Sequence, residues 1–385
     1  MHIVFVGLAG VPRLSRACDV RLSFFANLLA REHEVTILNR YSSSAVMMKM
    51  DVALDTHVSI KEIITPRKSE KIRSLVLFIL SILIEPYKLL SICRRKKINV
   101  LHIYSSHYLD YLLYWIIGRL IGAKIVAQYV EFRSDHKGRM TNPYHRINGY
   151  LCDYWGPKLW DGVIPISDFL QDWALKRNPK LKYQKVTPIC DFAVIEHNQL
   201  ASPIEGDYLL YCGNVGYKWA ADLIIDSYKQ SIISKSVKLV LVLSGNREKI
   251  EEQRKNNPDI TILTRLDYDE LIACYKHAKG LFIPLKDEIR EIARFPNKVC
   301  EYLACHGLII TTNVGEMSNY FKDGQNAIIA DDFSTESLCA KLNSLAQGKY
   351  DIDQIKTNAY STGLLYFNID SYKSTASSFF DNLVQ

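Results

Sequence analysis

Short apolar, β-branched runs alternate with longer stretches whose apolar residues recur at helical spacing over most of the 385 residues. An apolar run without polar interruption fits a strand covered on both faces, and the longer spacing fits a helix lying on a sheet. His2–Val6, Val35–Leu38, Val100–Tyr104, Lys124–Tyr129, Gly162–Ile166 and Val186–Ile189 read as strands of a first set. Helices are expected over about Leu14–Arg31, Leu109–Ile121 and Phe169–Lys176, with Ser167 as N-cap of the last. A connector from about Phe192 to Asp207 carries Ser202-Pro203 and little periodicity. A second set of strands follows at Tyr208–Cys212, Lys238–Ser244, Ile260–Leu263, Gly280–Pro284, Leu308–Thr312 and Asn326–Ala330. Helices over Trp219–Lys229, Asp267–His277 and from Thr335 lie among them. This alternation predicts two parallel-sheet α/β domains, residues 1–195 and 205–365, and the length suits two cores.

Arg294 to Val314, RFPNKVCEYLACHGLIITTNV, carries the most chemistry. Pro296 fits the first turn of a helix, where its missing N–H costs nothing, and Gly307 sits where a helix end favours positive φ. Glu301 falls one turn in, on the face that Asn297 and Lys298 begin. A helix start offers free N–H groups to a phosphate, and a carboxylate one turn deeper accepts hydrogen bonds from a sugar diol. Gly213-Asn214-Val215-Gly216-Tyr217-Lys218 also joins a strand to a helix, with backbone N–H groups and Lys218 available to a pyrophosphate. Together these two stretches point to a nucleotide sugar.

Composition narrows the alternatives. With 48% hydrophobic and 23% charged residues the chain is an ordinary globular sequence. The net charge of +7 is uneven, with Arg67, Lys68, Lys71, Arg73 and Arg94 to Lys97 in the first half. No basic block interleaved with aromatics forms a nucleic-acid module, so no nucleic-acid partner is expected. The nine cysteines, from Cys18 to Cys339, have no paired spacing, which argues for free thiols in a reducing cytoplasm. The start MHIVFVGLAG lacks a basic leader and reads as a strand rather than a signal peptide. The apolar run Leu75–Ile84 is too short to span a bilayer and is interrupted by Glu85-Pro86. With its basic flanks, segment 67–97 fits either a helix in the membrane interface or a buried helix with solvated ends.

Metal sites are not expected. Cys300, Cys305 and His306 point to different faces of a helix. Asp267 with Glu270 reads as a capping box, and Asp351-Ile352-Asp353 also opens a helix, so the two Asp-x-Asp triplets are caps rather than metal ligands. The βαβ opening with Gly7 and Gly10 is not GxGxxG, and Asn39-Arg40 stands where a nicotinamide site needs an acidic residue.

The block FPNKxxEYLAxxG, followed by an apolar strand and Asn313-Val314-Gly315-Glu316, resembles the donor site of retaining GT-B glycosyltransferases of family 4, the glycosyl transferases group 1. The resemblance implies two Rossmann-like domains facing across a cleft, with the C-terminal helix, residues 366–385, crossing back toward the N-terminal domain. It implies transfer of a sugar from a nucleoside diphosphate sugar to an acceptor hydroxyl with retention, the donor being a co-substrate and no cofactor or metal being required. Gly10, Gly213, Asn214, Lys218, Arg265, Asn297, Lys298 and Glu301 are its donor-binding residues here. Departures are visible. Asn214 stands where the family carries arginine, and of two glutamates separated by seven residues the first falls on Ala293, leaving Glu291, Glu288, Asp287 or the backbone near Phe295 to replace it. In the first domain Glu131 fits the acidic member of the family's His-Asp or His-Glu pair, but Val130 takes the histidine's place, and His107 is a second catalytic candidate. The basic, apolar 67–97 segment suggests a lipid-linked glycan acceptor in bacterial surface polysaccharide synthesis, and a cytoplasmic protein peripheral to the inner face of the membrane. A nucleotide-sugar 2-epimerase of the same fold and a non-catalytic donor-binding subunit of an assembly complex are the competing readings.

Overall fold

The computed structural model describes residues 1–7, 17–41, 55–64, 84–134 and 142–385. Gly10 and residues 67–83 of the basic segment lie outside the described residues. The chain divides into two units, Met1–Ile189 with Ile369–Gln385, and Cys190–Asn368.

The first unit holds β1 (His2–Val6), α1 (Ala17–Ala30), β2 (Glu34–Tyr41), β3 (Val58–Ile64), β4 (Val100–Ile103), α2 (Tyr108–Ile121), β5 (Lys124–Tyr129), α3 (Pro143–Tyr154), β6 (Gly162–Pro165), α4 (Asp168–Arg177) and β7 (Lys182–Tyr183). Every pairing is parallel and the order is β3-β2-β1-β4-β5-β6-β7. The strand direction of growth reverses between β1 and β4, the place where open α/β sheets bind ligands at their carboxyl ends. At that edge Gly7 has φ +86°, and a Cβ there would lie 2.6 Å from the Tyr104 carbonyl oxygen, so the loops after β1 and β4 approach too closely for a side chain. All five residues of β1 are buried, as a strand covered on both faces requires.

The second unit repeats the scheme with β8 (Tyr208–Asn214), α5 (Lys218–Gln230), β9 (Lys238–Ser244), β10 (Thr261–Leu263), α6 (Tyr268–His277), β11 (Gly280–Ile283), α7 (Ile289–Ala293), α8 (Lys298–Ala304), β12 (Ile309–Thr312) and β13 (Ile328–Ala330). Its order is β10-β9-β8-β11-β12-β13, again all parallel, with the switch between β8 and β11. Leu209, Leu241, Ile310, Ile328 and Leu338 are among the residues of its core.

The last helix, α9 (Lys373–Val384), packs in the first unit, where the Phe380 ring lies 6.3 Å from that of Phe25. Gly162 has no room for a Cβ beneath Phe379, at 2.9 Å. Arg31 pairs with Asp370 at 2.6 Å, and Thr187 Oγ1 meets the Tyr372 hydroxyl at 3.0 Å.

Three readings need correction. Val186–Ile189 forms no strand; the carbonyl of Val186 accepts instead from Arg21 at 2.7 Å, and that of Thr187 also accepts from Arg21. The connector after Phe192 begins with a short helix, Phe192–Glu196, capped by Asp191. Strand β3 escaped the hydrophobic pattern because its polar residues sit at the sheet's edge.

Candidate functional site

The switch point of the second sheet gathers loops from three strands. After β8, Asn214 Oδ1 accepts from Gly216 N at 2.9 Å and the Asn214 carbonyl accepts from Tyr217 N at 2.9 Å. This closes the turn that starts α5 at Lys218. Asn214, expected to bind the donor, thus shapes the loop through both of its oxygens. Gly213 is obligatory, because a Cβ would fall 2.4 Å from the Tyr211 hydroxyl. Lys218 is exposed at the first position of α5, with Asp222 one turn below it.

The chain after β11 closes over this loop. The Arg290 and Arg294 guanidinium carbons lie 5.8 and 4.7 Å from the centre of the Tyr217 ring, and Arg290 Nη2 is 3.5 Å from the Tyr217 hydroxyl. Beside them Lys286 stands 5.1 Å from the Trp219 ring centre and 5.4 Å from that of Phe333. Glu291 is buried and ion-paired with Arg294, and burial pushes its carboxyl above the ordinary range while Arg294 pulls it back. The third loop, after β12, sits directly on α7: Gly315 has φ +56°, and a Cβ there would lie 2.9 Å from the Ile292 backbone.

The predicted donor helix differs from expectation at both ends. It runs only from Lys298 to Ala304, with Asn297 as N-cap already in αR geometry, and Pro296 stands just before it with its carbonyl accepting from Val299 N at 3.1 Å. With so few turns it contributes little dipole, and the charge of its side chains matters more. At its other end His306, not Gly307, adopts the left-handed conformation, at φ 52°. Gly307 is needed for space, since a Cβ would fall 2.3 Å from Leu281 Cδ1.

Glu301 is half-buried, with its Oε1 3.5 Å from the Tyr268 hydroxyl. Burial pushes its carboxyl up to about 7, while Lys298 and Tyr268 oppose the rise. Two successive residues of β8 each lie near one of the clusters. Cys212 feels Lys298 and Glu301, and its neighbour Tyr211 feels Arg294, Tyr217 and Glu291. Asn297 and Lys298 are both half-buried beside Glu301, and the Asn297 Oδ1 is buried without a hydrogen-bond partner. Arg265 is exposed with φ 62°, three residues before Tyr268 at the carboxyl end of β10. The family's first-glutamate position, Ala293, is fully buried and carries no polar group.

Sequence reasoning missed Tyr268, Tyr217, Arg290 and Arg294. Tyr268 stands inside the Asp267-x-Asp269 triplet, whose expected capping box with Glu270 is present. The arginines flank the vacated glutamate position, and that juxtaposition was the available signal.

In the first unit His107 is the N-cap of α2, and its Nδ1 lies 3.1 Å from the Tyr144 hydroxyl. Glu131 is exposed just beyond β5. Its loop is fixed from below by buried Asp153, whose Oδ2 accepts from Arg133 N at 2.7 Å, Ser134 N at 2.5 Å and Ser134 Oγ at 2.7 Å. The Tyr129 hydroxyl donates to Asp153 Oδ1 at 3.0 Å. His107 and Glu131 thus share the carboxyl edge of the first sheet, each on its own loop.

Residues 206–348, which contain the whole second-sheet site, match the family described as Glycosyl transferases group 1. The matched stretch lies within the second unit. No curated protein matches the chain. Among solved structures, sucrose-phosphate synthase from Thermosynechococcus elongatus is similar at 12% identity and TM-score 0.75, over 99% of this chain and 98% of that one. Anabaena HepE in complex with UDP-glucose is similar at 12% identity and TM-score 0.69, over 99% and 100%. The lipopolysaccharide outer core galactosyltransferase WaaB is similar at 13% identity and TM-score 0.62, over 100% and 99%. At these identities the likeness establishes the GT-B fold of two Rossmann-like domains.

Proposed function

We propose that the protein is a retaining, metal-independent hexosyltransferase that moves a sugar from a nucleoside diphosphate sugar to an acceptor hydroxyl. The acceptor on this reading is a lipid-linked glycan of a bacterial surface polysaccharide, reached from the cytoplasmic side of the membrane. The observation that carries the proposal is that Glu301 beside Lys298, and the Tyr217–Arg290–Arg294 cluster, both stand around β8 inside the segment that matches the family. UDP and UDP-glucose in the Anabaena HepE complexes support a nucleotide sugar as the ligand class.

Each group has a role in the transfer. Ionised Glu301 accepts hydrogen bonds from the ribose diol, and Tyr268 orients it. Lys218, Arg290 and Arg294 neutralise the diphosphate, with Arg265 and Lys298 adding positive charge nearby. As the bond from the anomeric carbon to the diphosphate oxygen breaks, negative charge grows on the leaving group, and fixed cations lower that barrier. The acceptor oxygen bonds to the anomeric carbon on the same face, and its proton passes to the departing phosphate oxygen. Asn214 replaces the family's arginine as a turn former, and the α7 arginines supply the missing charge. Buried Ala293 and the engagement of Glu291 with Arg294 favour one second reading, a donor-binding subunit without transfer activity.

Thermal-shift titration with UDP-, GDP-, ADP- and dTDP-sugars tests the donor site. A ligand at about 100 times its dissociation constant stabilises the unit by roughly 2.7 kcal/mol. Lys218→Ala and Arg290→Ala are expected to weaken binding about tenfold each, as loss of a charge-assisted hydrogen bond does. No stabilisation by any of the four donors contradicts the proposal, and stabilisation without product on any glycan lipid favours the non-catalytic subunit.

A further inference from the structure

Helix α3 is bonded to the loops that follow β4 and β5. Asn148 donates to the Ser106 carbonyl at 2.8 Å and accepts from Tyr108 N at 2.9 Å, while Asp153 holds the loop after β5. One stripe of its outward face is apolar, with His145 and Arg146 exposed beside it. Tyr144, Ile147 and Tyr150 are 49%, 59% and 49% exposed, and Trp155, just past the helix end, is 47% exposed. Tyr150 and Tyr154 stack with ring centres 4.4 Å apart. From Tyr144 to Tyr154 the stripe extends roughly 15 Å at the helical rise.

At its far end the stripe meets a depression of about 330 Å³ lined by Tyr150, Tyr154, Trp155, Lys158, Lys176 and Arg177. That lining holds three cations and no carboxylate. Lys158 Nζ lies 4.0 Å above the Trp155 ring, and the Arg177 guanidinium sits 4.5 Å from Tyr154 and 3.5 Å from Trp173. The Arg177 Nε is buried without a hydrogen-bond partner. The near end of the stripe is Tyr144, which touches His107.

We infer that α3 and the cationic depression at its end form a binding platform for the distal part of an anionic glycan. Aromatic faces stack on the C–H faces of sugar rings, and the cations take a uronate, phosphate or sulfate carried on the chain. Charge complementarity and the length of the stripe select an elongated acidic saccharide over a single neutral sugar. The inference rests on the acceptor being a glycan and adds its charge and where its remote end lies.

The test is calorimetric titration of the full chain with tetragalacturonate, with maltotetraose, and with phosphatidylglycerol vesicles, alongside UDP-glucose. The platform predicts that tetragalacturonate binds at least tenfold more tightly than maltotetraose. Tyr150→Ala and Lys158→Ala, both at exposed positions, then weaken it roughly three- to tenfold each, with UDP-glucose binding unchanged. Equal binding of the two oligosaccharides, no binding of tetragalacturonate, or indifference to both substitutions overturns the inference. So does vesicle binding lost in the variants without tetragalacturonate binding, which would make this face a membrane contact. Loss of UDP-glucose binding alone, with the glycan result intact, would remove the donor reading and leave the platform standing.

Discussion

Replacing Glu301 by glutamine should stabilise the second unit while weakening its ligand. Burial raises the Glu301 carboxyl from its ordinary 4.5 to about 7, so the folded state holds a proton that the unfolded chain releases. Between those values the folded protein binds more protons than the unfolded one, and its stability falls as pH rises. At about 1.36 kcal/mol per unit the full cost above pH 7 approaches about 3.4 kcal/mol. Because the residue is only half-buried, partial solvation reduces this to about 2 kcal/mol. Glutamine mimics the protonated form and avoids the penalty. For a unit spanning residues 190–368, about 2 kcal/mol corresponds to roughly 4–8 °C in melting temperature. Thermal unfolding of both proteins at pH 5, 6, 7 and 8 checks this. The variant should melt higher at pH 8, with the advantage vanishing toward pH 5. A variant less stable at pH 8, or an advantage independent of pH, would refute the reasoning that a strained carboxylate is retained for binding.

Other outcomes follow from the same geometry. Arg294→Ala leaves Glu291 buried without its partner and should cost about 3–5 kcal/mol by urea unfolding, with Glu291→Gln added to it restoring most of the loss. Asp153→Ala removes the acceptor of four hydrogen bonds around the β5 loop and should cost about 3 kcal/mol or more, read by denaturant unfolding of the first unit. His102 is buried among Phe5, Phe25 and Phe380 with neither ring nitrogen hydrogen-bonded, and burial holds it down to about 3. Stability of the first unit should therefore fall as pH drops from 6.5 toward 3, because the unfolded chain takes up the proton first. His102→Phe should abolish that contribution, and an unchanged acid limb in the variant would count against it. Gly307→Ala forces a Cβ against Leu281 and should lower the melting temperature by the equivalent of about 1–3 kcal/mol.

Much of the fold was legible in the sequence because both sheets are parallel and covered. Continuous apolar runs such as Lys124–Tyr129 and Lys238–Ser244 coincide with strands β5 and β9, and Ser167 and Asp267 cap their helices through side-chain hydrogen bonds. Failures cluster where a residue's role depends on a distant neighbour. Val186 and Thr187 give up strand geometry to hold Arg21, which lies far away in sequence. Gly307 reads as a conformational glycine, and only the position of Leu281 shows that it is a steric one. The same holds at the site. Glu301 and Lys298 were visible as a local pattern, whereas Tyr268 meets Glu301 from the start of another helix and Arg290 and Arg294 declare their part only through Tyr217. The lipid-facing role suggested for 67–97 has its central residues outside the described ones. Among the described residues no helix is long and apolar enough to cross a membrane.

The central claim is that the second-sheet switch point holds an activated sugar through its ribose and diphosphate. A crystal of the protein soaked with UDP tests it most directly. The account predicts ribose hydroxyls within hydrogen-bond distance of Glu301 and phosphate oxygens against the Gly213–Lys218 turn, with Arg290 and Arg294 turned toward them. Density for UDP elsewhere, or an empty switch point at saturating UDP, would contradict it.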